Sequence, residues 1–405
     1  MDLSLEYRIF LKMLADHICI RETVLNEDDI NNINWSDFLT KAHTQQVDAI
    51  IFTQGQKYIK NAVSNEEFNK LSQKHFSYYF LAANREKLLK KIDKALTEAN
   101  IDYILFKGTE IAQFYPEPHL RSMGDSDILV HEKDKESVHN LFLELGLQNN
   151  TKGANEWTYS SGAIEIELHN KLLYDYVTNY PQFKNYCDTA WRHAHKSKAS
   201  TKHTLDWGFH IVFLMLHIRK HMLYSGVGFR QYMDLAVLAQ AEKIDWNSVA
   251  TELKSLGLLD FGFTCMAFCE RWFGVKSPFD NSNLDDTFYI QATKQIMANG
   301  VFGFDDPENK DSHTLNELHA RKGAGKKFRV ALRQLFPEYK YMCESNQYAF
   351  VRGKRWLLVP SWVYRLGYIA IKGKAKEGAK KAVKPLTMEN DIKSREAMLD
   401  GWGLD

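Results

Sequence analysis

The sequence predicts an α+β protein: a small mixed-sheet core flanked by N-terminal and C-terminal helical regions. Three observations predict it. Prolines number only 8 in 405 residues, which permits long uninterrupted helices. Apolar residues recur at helical spacing through the first hundred residues and again after residue 205. Between these stretches the texture switches to short β-rich runs punctuated by glycine and proline.

Four segments follow in chain order. Residues 1–99 form an N-terminal helical region, whose last helix is marked by the stripe Leu81, Leu88, Ile92 and Leu96. Residues 100–204 form the α/β core. IDYILFKG is a short strand ending at Gly108, TEIAQFY makes one or two helical turns, and PEPHLRSMG is a loop leading into a second strand, DSDILV. An amphipathic helix begins near Asp134, carries Val138, Leu141, Phe142 and Leu145 on one side and stops at Gly146. After the turn NNTKGAN, the runs EWTYSS and AIEIELHN read as a strand pair. Residues 205–302 are helical again, and there Cys265 and Cys269, set among aromatics, read as small buried hydrophobes. Residues 303–405 comprise a mobile loop over 303–327, a C-terminal helical segment and a basic tail. That tail carries six lysines between Lys372 and Lys384 against one acid, Glu377.

Hydrophobic residues make up 44%, charged residues 25% and aromatics 13%, and 52 Lys+Arg against 51 Asp+Glu leave a formal charge of +1. This balance disfavours a protein that grips nucleic acid by bulk charge, and no strong nucleic-acid signal is present. The start, MDLSLEYRIFLKML, lacks a basic region followed by an apolar run, and no window of about 18 residues is free of charge, so no transmembrane helix is expected. Five cysteines without a Cys-x-x-Cys suit a reducing, cytoplasmic setting. ARKGAGKK is not a Walker loop, because Ala320 replaces the first glycine and Lys327 the metal-binding hydroxyl.

Chemistry concentrates in the core. The period of two puts Asp125 and Asp127 on one face of their strand, with Ser126 and Ile128 opposite, and puts Glu165, Glu167 and His169 on one face of theirs. If the two strands are neighbours, three or four carboxylates converge. Such a cluster repels itself unless a cation sits in it, so removing Asp127 is expected to raise stability by up to a few kcal/mol. Hard oxygen donors on a rigid sheet suit Mg²⁺, which keeps waters and phosphate oxygens as its other ligands. Lys107-Gly108-Thr109 stands where a strand gives way to a helix, so backbone N–H groups, the Lys107 ammonium and the Thr109 hydroxyl can meet an anion. Anion cradle plus carboxylate-held metal is the apparatus of phosphoryl or nucleotidyl transfer.

These residues resemble a known family. The run Lys107-Gly108 … Tyr115-Pro116 … Arg121-Ser122-Met123-Gly124-Asp125-Ser126-Asp127-Ile128-Leu129-Val130, followed by Glu167 and His169, is similar to the signature of a bacterial family of uncharacterised nucleotidyltransferases in the polymerase-β-like superfamily. Leu216-His217 … Lys220-His221 … Gly228-Phe229-Arg230 … Asp234 resembles its second block, and Leu335-Phe336-Pro337 with Trp356 to Pro360 its C-terminal one. The likeness spans roughly residues 75–370, and its specific part is the R-x-M-x-D-x-D block. Gly108-Thr109 stands where the wider superfamily has Gly-Ser or Gly-Gly.

The resemblance implies a nucleotidyltransferase core and a Mg²⁺-dependent enzyme, with Mn²⁺ as substitute, that moves a nucleoside monophosphate from an NTP to a hydroxyl acceptor. Asp125, Asp127 and Glu167 are the expected catalytic and metal-binding acids, with Glu165 the alternative third acid. Lys107, Gly108, Thr109, Arg121, Lys220 and Arg230 are the expected nucleotide-binding residues, and residues 205–302 complete the cleft. Several roles have a second reading. Arg121 either meets phosphate or clamps Asp125 or Asp127, and Glu165 either tunes the site or binds Arg121. His169 orients a carboxylate in preference to holding metal. Lys220, Arg230 and Asp234 either wall the pocket or form an ion pair that fixes helix packing. His210, His217 and His221 share one helix face, lining the cleft or packing as satisfied histidines in preference to binding zinc. The alternative functions are a nucleotidylating enzyme acting on RNA or protein, and a non-catalytic nucleotide-binding or scaffold protein on a membrane-associated assembly. The latter draws on Trp356, Trp362, Tyr364 and Tyr368 ahead of the lysine tail, which would make peripheral membrane contact.

Overall fold

The structure is a computed structural model that describes residues 2–151, 157–173, 180–224, 226–241, 244–280, 284–301, 326–344, 346–371 and 389–404. The expected loop over 303–327 and the lysines from 372 to 384 lie almost wholly outside the described residues. The chain divides into two compact units, Met1–Asp306 with Trp402–Leu404, and Pro307–Gly401 with Asp405.

The first unit opens with five helices, α1 (Leu5–Ile18), α2 (Glu27–Asn31), α3 (Trp35–Thr44), α4 (Asp48–Ala62) and α5 (Asn65–Glu98). Ser4, Asn26, Asn34 and Ser64 cap α1, α2, α3 and α5 by accepting a first-turn N–H. Helix α5 runs 34 residues and buries only Arg85, Leu88, Ile92 and Leu96.

The sheet has seven strands. They are β1 (Tyr103–Phe106), β2 (Asp125–Val130), β3 (Gln148–Asn149), β4 (Trp157–Ser161), β5 (Ile164–His169), β6 (Ala194–Lys196) and β7 (Lys202–Leu205), in spatial order β3-β4-β5-β2-β1-β7-β6. The four runs read as strands from the sequence are β1, β2, β4 and β5. Strands β3, β6 and β7 are short and polar, and gave no alternating apolar signal. β2 runs antiparallel to β1 and parallel to β5, so the sheet is mixed. Between β1 and β2 lie α6 (Gly108–Ile111) and two short 3-10 turns. Helix α7 (Lys135–Glu144) follows β2 and ends before Gly146, which adopts φ 83°.

One face of the sheet is apolar. Tyr103, Leu105, Ile128, Val130, Ile164, Ile166 and Leu168 form a single core with Leu88, Ile92 and Leu96 of α5 and Val138 and Phe142 of α7. Strand alternation sends Phe106, Asp127, Glu167 and His169 to the other face. After α8 (Pro181–Cys187) comes α9 (Trp207–Tyr224), whose Phe213 meets Phe106 there, ring centroids 5.9 Å apart. Helices α10 (Phe229–Ala241), α11 (Trp246–Leu256) and α12 (Leu259–Phe273) continue the helical part, where Cys265 and Cys269 are indeed fully buried free thiols. Trp402 returns to this body, stacking on Phe268 at 4.4 Å.

Candidate active site

The neighbouring of β2 and β5, on which the acid cluster depended, is present. Their parallel register sets Asp125 beside Glu165 and Asp127 beside Glu167. Asp127 is buried, and its Oδ1 accepts from Lys107 Nζ at 2.6 Å and lies 3.0 Å from His169 Nε2. The same His169 nitrogen is 3.3 Å from Glu167 Oε2. Among the described residues, Asp127, Glu167 and His169 are the group whose ligand atoms all lie within 4.8 Å of one another. Asp125, half-buried two residues earlier on the same face, lies outside that tight group, and Glu165 is exposed.

The expected self-repulsion is therefore answered inside the protein, by Lys107. Burial alone would raise the Asp127 carboxyl, but the Lys107 ammonium and the His169 hydrogen bond override it and hold it at about 2. Asp125 has no such hydrogen bond among the described residues, and burial followed by repulsion from Asp127 pushes its carboxyl up. Burial disfavours charge on Lys107 and His169. Asp127 and Asp125 more than offset this for Lys107, as do hydrogen bonds to Asp127 and Glu167 for His169, so both pKa values are raised.

Lys107 joins β1 to α6 at φ 52° and ψ −134°, a backbone region that favours glycine. Its N–H donates to Nε2 of buried His210 at 3.1 Å, so His210 is neutral with its proton on Nδ1. Burial depresses the His210 pKa to about 4. Next to it, Gly108 has no room for a side chain: an added Cβ would fall 2.3 Å from Arg121 Nη1 and under 3 Å from its Cζ and Nη2. Thr109 Oγ1 is buried and has no hydrogen-bond partner among the described residues.

Arg121 pairs with none of the acids that the sequence offered it. Its Nε and Nη2 donate to Asp234 of α10 at 2.8 and 2.7 Å, and Tyr115 Oη donates to the same carboxylate at 2.8 Å. The partner is Asp234, neither Asp125, Asp127 nor Glu165, because the loop ahead of β2 carries Arg121 beneath Gly108 towards α10. Arg230 donates from Nη1 to the Ser122 carbonyl at 2.8 Å, and its pKa is pushed down to about 10 by burial and by Arg121. Asp234 and Arg230 thus brace residues 115–123 from α10. His217 and His221 bond each other, Nε2 to Nε2 at 2.9 Å. Burial lowers both, assisted by the positive charges of Lys107, Lys220 and Arg230. Of the histidine face of α9, His210 touches the anion loop, and His217 and His221 feel the positive charge of both Lys107 and Lys220.

Arg85 escaped the sequence reading. It donates to Ser126 Oγ at 2.8 Å and to the Met123 carbonyl at 3.0 Å, tying α5 to the R-x-M-x-D-x-D segment. A signal existed: Arg85 occupies the missing position in the stripe between Leu81 and Leu88, where an unaccompanied charge needs a buried partner.

A family model described as uncharacterised nucleotidyltransferase matches residues 31–274, more than half of the chain, and the chain belongs to that family. No curated protein and no solved structure matches it.

Proposed function

From this membership and the geometry above, we propose that the protein is a Mg²⁺-dependent enzyme, with Mn²⁺ as substitute, that transfers a nucleoside monophosphate from an NTP to a hydroxyl acceptor. The observation that carries the proposal is the pairing of Asp127 with Glu167 across parallel strands, opposite an anion loop that holds an unsatisfied Thr109 hydroxyl. The donor chemistry fits the metal: hard carboxylate oxygens on a rigid sheet suit Mg²⁺ and Mn²⁺, and His169 lies within hydrogen-bond reach of them. Asp125, Asp127 and Glu167 would hold the ion, which neutralises phosphate charge and polarises the attacking hydroxyl.

The remaining roles belong to the chain. His210 fixes the Lys107 backbone, so that Nζ lies at the mouth of the acid cluster and approaches phosphate oxygen as a point charge. Gly108 admits the backbone closely to the triphosphate, and Thr109 donates its hydroxyl. Arg121, held by Asp234, supports Gly108 from beneath and adds positive charge under the anion loop. Lys220 and Arg230 add positive potential on the α9 and α10 side. Glu167 takes the acceptor's proton in this reading, and His169, 3.3 Å from its Oε2, orients the carboxylate.

Incubation of the purified protein with each α-labelled NTP, Mg²⁺ or Mn²⁺ and cell lysate tests this. Label should move to an acceptor with the parent and not with Asp127→Asn. Absence of transfer with every nucleotide, despite measurable NTP binding, would favour the non-catalytic alternative.

A further inference from the structure

The second unit is charged very differently from the rest of the molecule. Residues 326–384 contain 15 Lys and Arg against 3 Asp and Glu, in a chain whose total is +1. The described part of this segment also exposes apolar side chains in an ordered way. Helix Leu358–Ile371 has 14 residues and one charged side chain, Arg365, whose Nη1 donates to Tyr348 Oη. Its inner side is committed: Leu358 and Trp362 pack on Met342, Tyr348 and Val351, and Trp362 Nε1 donates to the Pro337 carbonyl at 2.8 Å. On its outer side Val359, Val363 and Leu366, spaced i, i+4, i+7, are 60%, 68% and 37% exposed. A helix of a soluble protein carries polar residues on that side.

The flanks complete the pattern. Exposed Lys354 and Arg355 precede the helix beside Trp356, which is 75% exposed. The neighbouring helix Lys326–Leu335 repeats the arrangement, with Phe328, Leu332 and the following Phe336 exposed at i, i+4, i+8 and Arg329 exposed beside them. Phe336 meets Trp362, on the inner side of that helix, with ring centroids 5.4 Å apart, so the two helices that carry these stripes are packed neighbours.

We propose that this surface docks on an anionic lipid bilayer, with helix Leu358–Ile371 lying in the plane of the interface. Aliphatic side chains enter the acyl boundary, Trp356 sits at headgroup level, and the surrounding cations meet lipid phosphate. Fourteen residues are too few to span, and no helix among the described residues is long and apolar enough to cross a membrane. Val359, Val363 and Leu366 favour lipid, since bases stack on aromatic rings and gain little from aliphatic side chains, while Trp356 and the exposed Tyr364 and Tyr368 suit headgroup level, and an oligouridylate arm of the test separates the two occupants. The inference does not rest on the transferase reading.

Co-sedimentation of the full chain with phosphatidylcholine vesicles, with and without phosphatidylglycerol, tests it, run beside retention of an oligouridylate. The parent should bind the anionic vesicles and not the neutral ones. Val359→Asp/Val363→Asp should weaken that binding about tenfold or more, with an unchanged circular dichroism spectrum. Lys354→Glu/Arg355→Glu should weaken it too, and added salt should reproduce that loss. The exposed positions make misfolding a poor explanation for either result. Equal vesicle binding by the parent and the valine variant would overturn the proposal. So would retention of oligouridylate by both without vesicle binding, which would make the surface a nucleic-acid site.

Discussion

Replacing Asp127 by Asn tests the electrostatic logic of the site in a measurement independent of catalysis. If four acids merely crowded one patch, loss of any of them would relieve repulsion and stabilise the fold. The structure predicts the opposite sign at this position. A carboxyl held at about 2, where an unfolded aspartate titrates near 3.8, is favoured as the anion by about 2–3 kcal/mol. The substitution removes that term and leaves the Lys107 ammonium, with a side chain only 19% exposed, without its 2.6 Å partner. A loss of about 2–4 kcal/mol at neutral pH follows. Urea denaturation in EDTA, with an unchanged slope, measures it free of any metal. Because the folded pKa is depressed, the difference from the parent should persist above the unfolded value and vanish as pH falls through about 2. Asp125→Asn supplies the contrast, since burial and Asp127 raise that carboxyl and its neutralisation should be neutral or stabilising. Both variants should lose transfer, so activity alone cannot separate them. A result in which Asp127→Asn is as stable as the parent, or Asp125→Asn costs as much, would refute the assignment of Lys107 as the internal counter-ion.

Further outcomes are expected. Gly108→Ala should cost about 1–3 kcal/mol despite the helix-forming advantage of alanine, because its methyl would enter the Arg121 guanidinium, and denaturation midpoints will show whether it does. Stability should fall between pH 7 and pH 5: His17 and His210 accept no proton until about pH 4 when folded, while the unfolded chain protonates them near 6.5. Each should contribute about 2 kcal/mol to that loss near pH 5, and His210→Gln should flatten the profile in thermal melts. Arg121→Lys should destabilise by about 2–4 kcal/mol, since one ammonium cannot reproduce two bonds to Asp234, and Asp234→Asn should add little to it in a double-mutant cycle. Once transfer is measurable, Glu167→Gln should lower turnover about a hundredfold or more with nucleotide affinity kept, and Glu165→Gln much less, because Glu165 is exposed beside Asp125.

How much of this was legible in the sequence depended on range. Alternation within DSDILV and AIEIELHN gave the faces of β2 and β5, because side-chain direction in a strand is a property of neighbouring residues. The pairing of those strands remained conditional, since register joins residues about forty apart and only the sheet supplies it. Strands β3, β6 and β7 left no trace, being two to four residues long and largely polar, and their partners decide their state. The long-range charge pairing was least legible. Nothing local in R-S-M-G names the carboxylate that Arg121 meets, and Asp234 lies 113 positions later. Arg85 shows the complementary case, a charge whose place on an apolar stripe announced a buried partner without naming it. A consequence follows for the anion loop. Its shape is set from below by Arg121 and Asp234 and from behind by His210, three residues outside the Lys-Gly-Thr run itself. The loop's affinity for phosphate should therefore respond to changes in α9 and α10 that never touch the nucleotide, and the motif alone underdetermines the site.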